Sequence, residues 1–195
     1  MEPIAIFIHA IQAICPEISD AELKAFESGL IVKHFKSKAF VFEKEKPHDQ
    51  IMYIVSGLVR SFYIDDKGSE ISAYFIKEFD FVSDYPAFLN DSKSNYFFQT
   101  LEATTVVALP KNLILKAYET SPKFEKFGRL IAEEAVKFLQ GRMDSFLFKT
   151  ATERYLEFID KEIELFNRLS VEHFATYLGI ERQSLTGIRK KLNTK

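Results

Sequence analysis

The C-terminal stretch, residues 170–192, constrains the fold of this chain more than any other part of it. Its sequence, SVEHFATYLGIERQSLTGIRKKL, has the pattern of two short amphipathic helices joined by a tight turn. Ala175 is small where a crossing helix must approach, and Gly179 can take the positive φ that such a turn needs. Leu185 and Ile188 then recur at helical spacing. This pattern predicts a helix-turn-helix, whose second helix can enter the major groove of DNA.

The exposed face of the second predicted helix carries side chains that suit both base edges and phosphates. The N-terminal part of such a helix reads base edges, so Arg182 suits a guanine and Gln183 suits an adenine. Lys190 and Lys191, near the other end, are better placed for phosphates, which supply affinity without sequence choice. The predicted DNA-binding residues are Arg182, Gln183, Ser184, Thr186, Arg189, Lys190 and Lys191.

Charge is distributed unevenly along the chain. The whole sequence of 195 residues has a formal net charge of −2, which is not typical of a protein that binds nucleic acid. Residues 181–195 nevertheless contain five basic side chains and one acidic one, a local charge of +4. A basic end of this kind is often only a solvated tail. Its coincidence with the predicted helix-turn-helix favours contact with double-stranded DNA.

The hydrophobic period divides the rest of the chain into three regions. Residues 3–28 repeat apolar side chains at spacings of three and four, which predicts helices. Residues 31–110 change to a period of two, which predicts the short strands of an antiparallel barrel or roll. After Pro122 the helical period returns for about 25 residues, longer than an ordinary globular helix. Its apolar stripe can pack on its own domain or pair with a copy of itself. A further helix is expected over residues 153–166.

Capping signals mark where several of these helices should begin. Ser19 and Glu22 have the spacing of a capping box at the start of a second N-terminal helix. Thr150 or Thr152 is expected to cap the helix that leads into the helix-turn-helix. Ser170 is the expected N-cap of the first helix of that motif.

Two segments resemble the Crp/Fnr family of bacterial transcription regulators. One is YIVSGLVR at residues 53–60, which is similar to the strand–Gly–strand turn of that family, and the other is the helix-turn-helix. The resemblance implies an α+β fold: an N-terminal antiparallel β-roll of the cyclic-nucleotide-binding type with flanking helices, a long dimerisation helix, and a C-terminal DNA-binding domain of the winged-helix type. Because the sequence ends at Lys195, just past the second helix of the motif, we expect an incomplete wing.

The same resemblance implies a division of labour along the chain. Residues 1–121 would form the sensor domain, residues 122–148 the dimerisation helix, and residues 149–195 the DNA-binding domain. The implied partners are double-stranded DNA, a second copy of the chain, RNA polymerase and an unidentified small-molecule effector. We therefore expect a dimeric transcription regulator that is not an enzyme.

The effector pocket of the Crp/Fnr family lies in the roll and holds a cyclic nucleotide. A Gly-Glu pair grips the ribose hydroxyl, and a following Arg-Ser or Arg-Thr pair holds the phosphate. Ser83 and Asp84 stand at the first pair, and Asn95 and Tyr96 fall near the second. No arginine lies between residues 60 and 129, so nothing obvious neutralises a phosphate. The expected pocket residues are Ser83, Asp84, Tyr85, Asn95 and Tyr96, and we expect them not to bind cyclic AMP.

Other cofactors find little support. Cys15 is the only cysteine, so an iron–sulfur cluster has no ligand set. The four histidines are scattered without the spacing of metal ligands, and we expect each of them to be a surface or a capping histidine. They are His9, His34, His48 and His173. No cofactor and no metal site are therefore predicted.

Location follows from what the sequence lacks. No apolar run approaches the roughly 20 residues that span a membrane, and the N-terminus has no basic leader. A single cysteine also suits a reducing compartment. We therefore expect a cytoplasmic protein without a membrane partner.

Two other function classes fit the sequence less well. A cyclic-nucleotide or small-ligand binding module could signal through protein contacts without binding DNA, but the basic face of the second predicted helix disfavours it. An enzyme on a β-roll, such as a cupin-like oxygenase, needs a His-x-His or carboxylate–histidine cluster, which residues 31–109 lack. No Gly-rich phosphate loop or nucleophile elbow is present either.

Overall fold

A computed structural model of the chain describes residues 1–42 and 47–193. The helices within them are α1 (Pro3–Ile14), α2 (Asp20–Glu27), α3 (Tyr85–Leu89), α4 (Lys111–Thr120), α5 (Pro122–Phe148), α6 (Ala151–Lys161), α7 (Ile163–Phe166), α8 (Val171–Tyr177) and α9 (Arg182–Asn193). The strands are β1 (Ile31–Phe35), β2 (Gln50–Ser56), β3 (Val59–Ile64), β4 (Glu70–Ile76), β5 (Phe81–Val82), β6 (Phe97–Thr100) and β7 (Thr104–Pro110). No strand follows β7 in the described part of the chain.

The strands form two sheets, as the period of two predicts. One sheet has the order β1-β7-β2-β5, and the other has the order β4-β3-β6. Strand β7 runs antiparallel to both of its neighbours, so that Val107 faces Val32 on one side and Tyr53 on the other. The predicted α+β fold with an antiparallel β-roll is therefore confirmed.

Gly57 makes the turn between β2 and β3, within the segment that resembles the Crp/Fnr family. Its φ is +106°, a conformation that a residue with a Cβ rarely adopts. A Cβ there would also lie 2.7 Å from the carbonyl oxygen of Ala103. The Gly57 amide donates to Oε1 of Glu78 at 2.8 Å, which satisfies it at the bend. Conformation and close approach together require glycine at this position.

Strand β2 is buried on both faces because it lies between two apolar clusters. Tyr53 contacts the cluster that holds Phe7 of α1, and the two ring centroids lie 4.8 Å apart. Met52 and Ile54 point into the other cluster, with Phe98 of β6. Because alternate side chains of a strand project from opposite faces of the sheet, β2 contributes side chains to both clusters.

Two helices begin where the capping signals place them. Ser19 and Glu22 form a reciprocal capping box at the start of α2, in which the Ser19 amide donates to Oε2 of Glu22 at 2.8 Å. Thr150 does the same with Glu153 at the start of α6. Of the two threonines considered from sequence, Thr150 is the cap.

The helix expected over residues 153–166 is wrong in one respect, because the structure breaks it. Glu162 leaves the helical conformation, with φ −137° and ψ 41°, and separates α6 from α7. After the break, Leu165 is buried and the ring of Phe166 packs on Phe174 with centroids 5.1 Å apart. The residues at the break carry no glycine or proline, so no local signal announces it.

The chain divides into two compact units. One comprises residues 1–61 and 75–133, and the other comprises residues 62–74 and 134–195. The second unit thus joins the tip of the β3–β4 hairpin to the C-terminal half of α5 and the helices that follow. None of the helices in the described residues is both long enough and apolar enough to cross a membrane.

Candidate nucleic-acid interface

The two last helices of the described chain pack on a small core. Ser170 caps α8, because its Oγ accepts from the His173 amide at 3.1 Å, which confirms the expected N-cap. The core is built on side chains from both helices and on aromatic rings of α6 and α7. Its fully buried members are Phe174, Ala175, Leu178 and Leu185. The predicted helix-turn-helix is therefore present in the structure.

The turn after α8 is closed by a Schellman motif. Gly179 has a φ of +71°, and its amide donates to the carbonyl of Thr176 at 3.0 Å. The amide of Ile180 donates to the carbonyl of Ala175 at 3.1 Å. These two bonds satisfy two of the carbonyls in the last turn of the helix, and they need a left-handed residue at the position of Gly179.

Helix α9 separates its residues into a buried side and an exposed side. Leu185 is fully buried, and Ile188 and Leu192 are half-buried. The exposed predicted DNA-binding residues are Arg182, Gln183, Ser184, Thr186, Lys190 and Lys191. The structure therefore gathers these six side chains on the solvent side of one helix.

Arg189 and Thr186, both predicted DNA-binding residues, have contacts within the unit. Arg189 is half-buried, and its guanidinium carbon lies 5.5 Å from the centroid of the Phe166 ring. The hydroxyl of Thr186 donates to the carbonyl of Arg182 at 3.0 Å, one turn earlier in the same helix. Arg189 thus covers part of the core. The hydrogen bond of Thr186 to the carbonyl one turn earlier is of a kind that often bends a helix slightly.

The contact between the β3–β4 hairpin and α8 was not predicted from the sequence. Ser72 is buried, and its amide donates to the hydroxyl of Thr176 at 3.2 Å, while the two hydroxyl oxygens lie 2.9 Å apart. Nearby, the ring of Tyr74 packs on that of Phe138 of α5, with centroids 5.7 Å apart. These partners lie about 100 or 60 residues apart in sequence, so no local pattern could have paired them.

The expected effector pocket has its central carboxylate already bonded. Asp84 caps α3, where its Oδ1 accepts from the Ala87 amide at 3.2 Å. Its Oδ2 accepts from the hydroxyl of Ser94 at 2.6 Å. Ser94 therefore lies beside Asp84, whereas its neighbours Asn95 and Tyr96 are exposed. Ser83 has a buried Oγ without a hydrogen-bond partner among the described residues, and Tyr85 is exposed.

His48 is not at the surface, contrary to the expectation from sequence. Only 2% of it is exposed, and its ring stacks on Phe42 with centroids 4.1 Å apart. Burial lowers the pKa of His48, and the nearby Asp84 carboxylate opposes that shift. The sequence did not predict this burial, because Phe98, whose ring also lies against that of His48, is distant along the chain. In the described residues, no three His, Cys, Asp or Glu side chains are grouped as metal ligands would be.

Comparisons with known proteins identify the domain and the fold. Residues 32–121 match the family model of the cyclic nucleotide-binding domain. The structure is similar to FixK2 from Bradyrhizobium japonicum, with 16% identity, a TM-score of 0.70 and coverage of 85% of each chain. It is also similar to the regulator CLP from Xanthomonas campestris, with 18% identity, a TM-score of 0.71 and coverage of 90% of this chain and 92% of that one.

A third similar structure is that of a protein from Eubacterium rectale described as a transcriptional regulator of the Crp/Fnr family. It shares 15% identity, a TM-score of 0.70, and coverage of 92% of this chain and 85% of that one. No curated protein matches the sequence. At these identities the likeness establishes the fold, which is shared over most of the chain.

Proposed function

We propose that this chain, whose residues 32–121 form a cyclic nucleotide-binding domain within the fold of the Crp/Fnr regulators, is a dimeric transcription regulator that binds double-stranded DNA. The observation that carries the proposal is the division of α9. Leu185 is fully buried in the core of the unit, while Arg182, Gln183 and Ser184 are exposed on the first turn of the helix. An exposed and basic second helix is what the major groove admits.

Base readout would fall to the first turn of α9, and phosphate contact to its last turns. Arg182 can donate two hydrogen bonds to the O6 and N7 of guanine, and Gln183 can bond adenine at N6 and N7. Lys190 and Lys191 would neutralise phosphates. This assignment gives the two groups different signatures: loss of a base contact changes sequence preference, and loss of a phosphate contact weakens binding to all sequences.

Dimerisation would use an exposed apolar stripe on the C-terminal half of α5, which we call the α5 stripe. It consists of Val136, Leu139, Met143 and Leu147, whose exposed fractions lie between 47% and 65%. The spacings of three and four residues keep these side chains on one side of the helix, as in a two-stranded coiled coil. A second copy of the chain would cover the stripe and bring two copies of α9 to one duplex.

The roll would respond to an effector other than cyclic AMP. Both carboxylate oxygens of Asp84 accept hydrogen bonds within the chain, one from Ala87 and one from Ser94. A ribose hydroxyl would have to displace Ser94 to reach this carboxylate. No arginine lies between residues 60 and 129 to balance a cyclic phosphate, and a buried anion without a partner is costly.

Selection of bound duplexes from a random pool tests DNA binding. We expect a palindromic site bound by a dimer, with affinity that falls steeply as salt rises. Arg182→Ala should lose about 1–3 kcal/mol at the preferred site and relax one base position. Lys190→Ala is the matched control, since it should weaken all sequences alike and reduce the salt slope by about 1.

The same experiment separates the proposal from its alternative. A module that signals only through protein contacts would show no salt-sensitive binding to any duplex. Calorimetric titration with cyclic AMP, cyclic GMP and cyclic di-GMP tests the effector pocket, and CLP, described as responsive to cyclic di-GMP, supplies a positive control for that ligand. Saturable micromolar binding of cyclic AMP would show that the assignment of the roll is wrong.

A further inference from the structure

We propose that Arg142, Phe146 and Arg154 form a clamp that holds the helix-turn-helix against the C-terminal part of α5 and so sets the spacing of the two DNA half-sites. The inference rests on the function proposed above. The three side chains are positioning residues, because they act on the end of α8 and the turn that follows it. We call them the clamp.

Arg142 reaches from α5 to the last residue of α8. One of its Nη groups donates to the carbonyl of Tyr177. Its guanidinium carbon lies 3.6 Å from the centroid of the Tyr177 ring, so the planar group stacks on the ring as well. Burial lowers the pKa of the Arg142 guanidinium, yet an arginine remains charged at neutral pH. The helix end is thus held by a charge-assisted hydrogen bond and a stacking contact.

Arg154 reaches the next carbonyl from α6. Its Nε and Nη2 donate to the carbonyl of Leu178 at 3.2 and 2.8 Å, and its Nη1 donates to the carbonyl of Lys149 at 2.6 Å. One guanidinium therefore joins the end of α8 to Lys149, in the short link between α5 and α6. The carbonyls at a helix C-terminus lack partners within the helix and carry partial negative charge, so cationic donors there are favourable.

Phe146 links the two arginines. The guanidinium carbons of Arg142 and Arg154 lie 4.4 and 4.7 Å from the centroid of its ring. The same ring is so close to Gly179 that a Cβ at this position would lie 2.8 Å from its Cε1. The clamp therefore touches the turn of the helix-turn-helix directly, and it joins α5, α6 and α8 in one set of contacts.

The position of the clamp on α5, beside the proposed dimer interface, explains how the clamp would set the spacing of the half-sites. Arg142 and Phe146 are adjacent in sequence to Met143 and Leu147 of the α5 stripe. If a second copy covers that stripe, the same two turns of α5 pair the subunits and hold each helix-turn-helix. The angle between α5 and α8 then fixes the separation of the two copies of α9, which must match about 34–36 Å on one face of the duplex.

The test uses substitutions that keep charge or apolar character. Arg142→Lys and Arg154→Lys retain the cation but lose the planar group that stacks and donates from several nitrogens, and Phe146→Leu removes the ring. Arg129→Lys is the control, because Arg129 lies on α5, is exposed, and forms an ion pair with Glu133 one turn away. Thermal unfolding and sedimentation establish which variants are folded and dimeric. Only variants that pass both measurements enter the binding assay.

The probe is a set of duplexes that carry the selected half-site twice, with the spacer lengthened or shortened one base pair at a time, and one duplex with a single half-site. We expect wild type and Arg129→Lys to prefer one spacer. The clamp variants should bind the single half-site as wild type does, within about twofold, and should lose at least about fivefold of the preference between spacers, the lower end of a typical coupling between sites.

Three outcomes overturn one or both of the proposals. If the clamp variants keep the spacer preference of wild type, the clamp does not set the spacing, and DNA binding itself still stands. If wild type binds no duplex in the set or in the random pool, the proposed function fails and the clamp fails with it. Loss of affinity for the single half-site in step with loss of thermal stability also overturns the inference, because it reveals a merely structural role.

Discussion

Two glycine-to-alanine substitutions in the DNA-binding unit should change its stability in opposite directions. Gly179 closes the turn after α8 with a φ of +71°. Gly187 lies inside α9, where a Cβ would meet no atom within 4 Å apart from its chain neighbours and the backbone of the helix itself. The chemical change is identical in the two variants, so the difference between them reports only the environment of each glycine.

The magnitudes follow from the two environments. Alanine at 179 would carry the cost of the left-handed conformation, about 1–2 kcal/mol, and would press a Cβ to 2.8 Å from Cε1 of Phe146. Together these should destabilise the unit by about 2–3 kcal/mol. Alanine at 187 should instead stabilise the helix by about 0.5–1 kcal/mol, because glycine is a poor helix former.

Hydrogen exchange of the α9 amides in the full chain is the suitable measurement, because global unfolding of a chain with two units need not be two-state. A change of 2–3 kcal/mol corresponds to about 30- to 150-fold faster exchange for Gly179→Ala. Gly187→Ala should slow exchange by about two- to fivefold. Changes of the same sign in both variants would contradict the argument, since they would mean that the turn geometry does not distinguish the two positions.

Three further predictions concern other parts of the molecule. Val136→Glu places a charge in the α5 stripe and should shift sedimentation from dimer to monomer, whereas Lys137→Glu, next to it and outside the stripe, should not; a dimeric Val136→Glu protein would place the interface elsewhere. The pKa of Glu22 is held far below its usual range by Lys123 and by its hydrogen bonds to two serines, so its contribution to stability is present above about pH 4.3 and is lost as pH falls below that value. Urea unfolding of wild type and Glu22→Gln from pH 7 to pH 3 should therefore differ most at pH 7, and a constant difference would refute the linkage. Ser72→Ala removes the hydroxyl that lies 2.9 Å from that of Thr176 but keeps the backbone amide that donates to Thr176. It should therefore speed exchange of the α8 amides by about two- to tenfold, the effect of one hydrogen bond; unchanged exchange would show that the contact between the two hydroxyls contributes nothing.

Much of the fold could be predicted because its signals are local. The capping box of Ser19 and Glu22, the cap at Ser170 and the left-handed turn at Gly179 are each set by a few adjacent residues, and the structure confirms all three. The switch from helical to strand period between residues 28 and 31 also marks a real boundary, since α2 ends at Glu27 and β1 begins at Ile31.

What the sequence did not reveal depends on contacts between distant residues. His48 was expected at the surface because nothing beside it in sequence suggested burial, yet it stacks on an aromatic cluster. Arg142 and Arg154 have ordinary positions in their helices, and only the fold brings them to the carbonyls of Tyr177 and Leu178. The break at Glu162 likewise has no local cause. Periodicity reports which face of an element is apolar, but not which remote side chain will meet it.

The hydrogen bond between Ser72 and Thr176 has a practical consequence for anyone who divides this protein. A fragment that starts at residue 134 would omit the hairpin, and with it the Tyr74 ring that packs on Phe138 and the Ser72 hydroxyl that meets that of Thr176. A fragment that stops at residue 121 would keep the hairpin but lose Phe138 and Thr176, which the hairpin contacts. We therefore expect neither half to reproduce the behaviour of the intact polypeptide, since the second unit is assembled from two stretches separated by about 60 residues of chain.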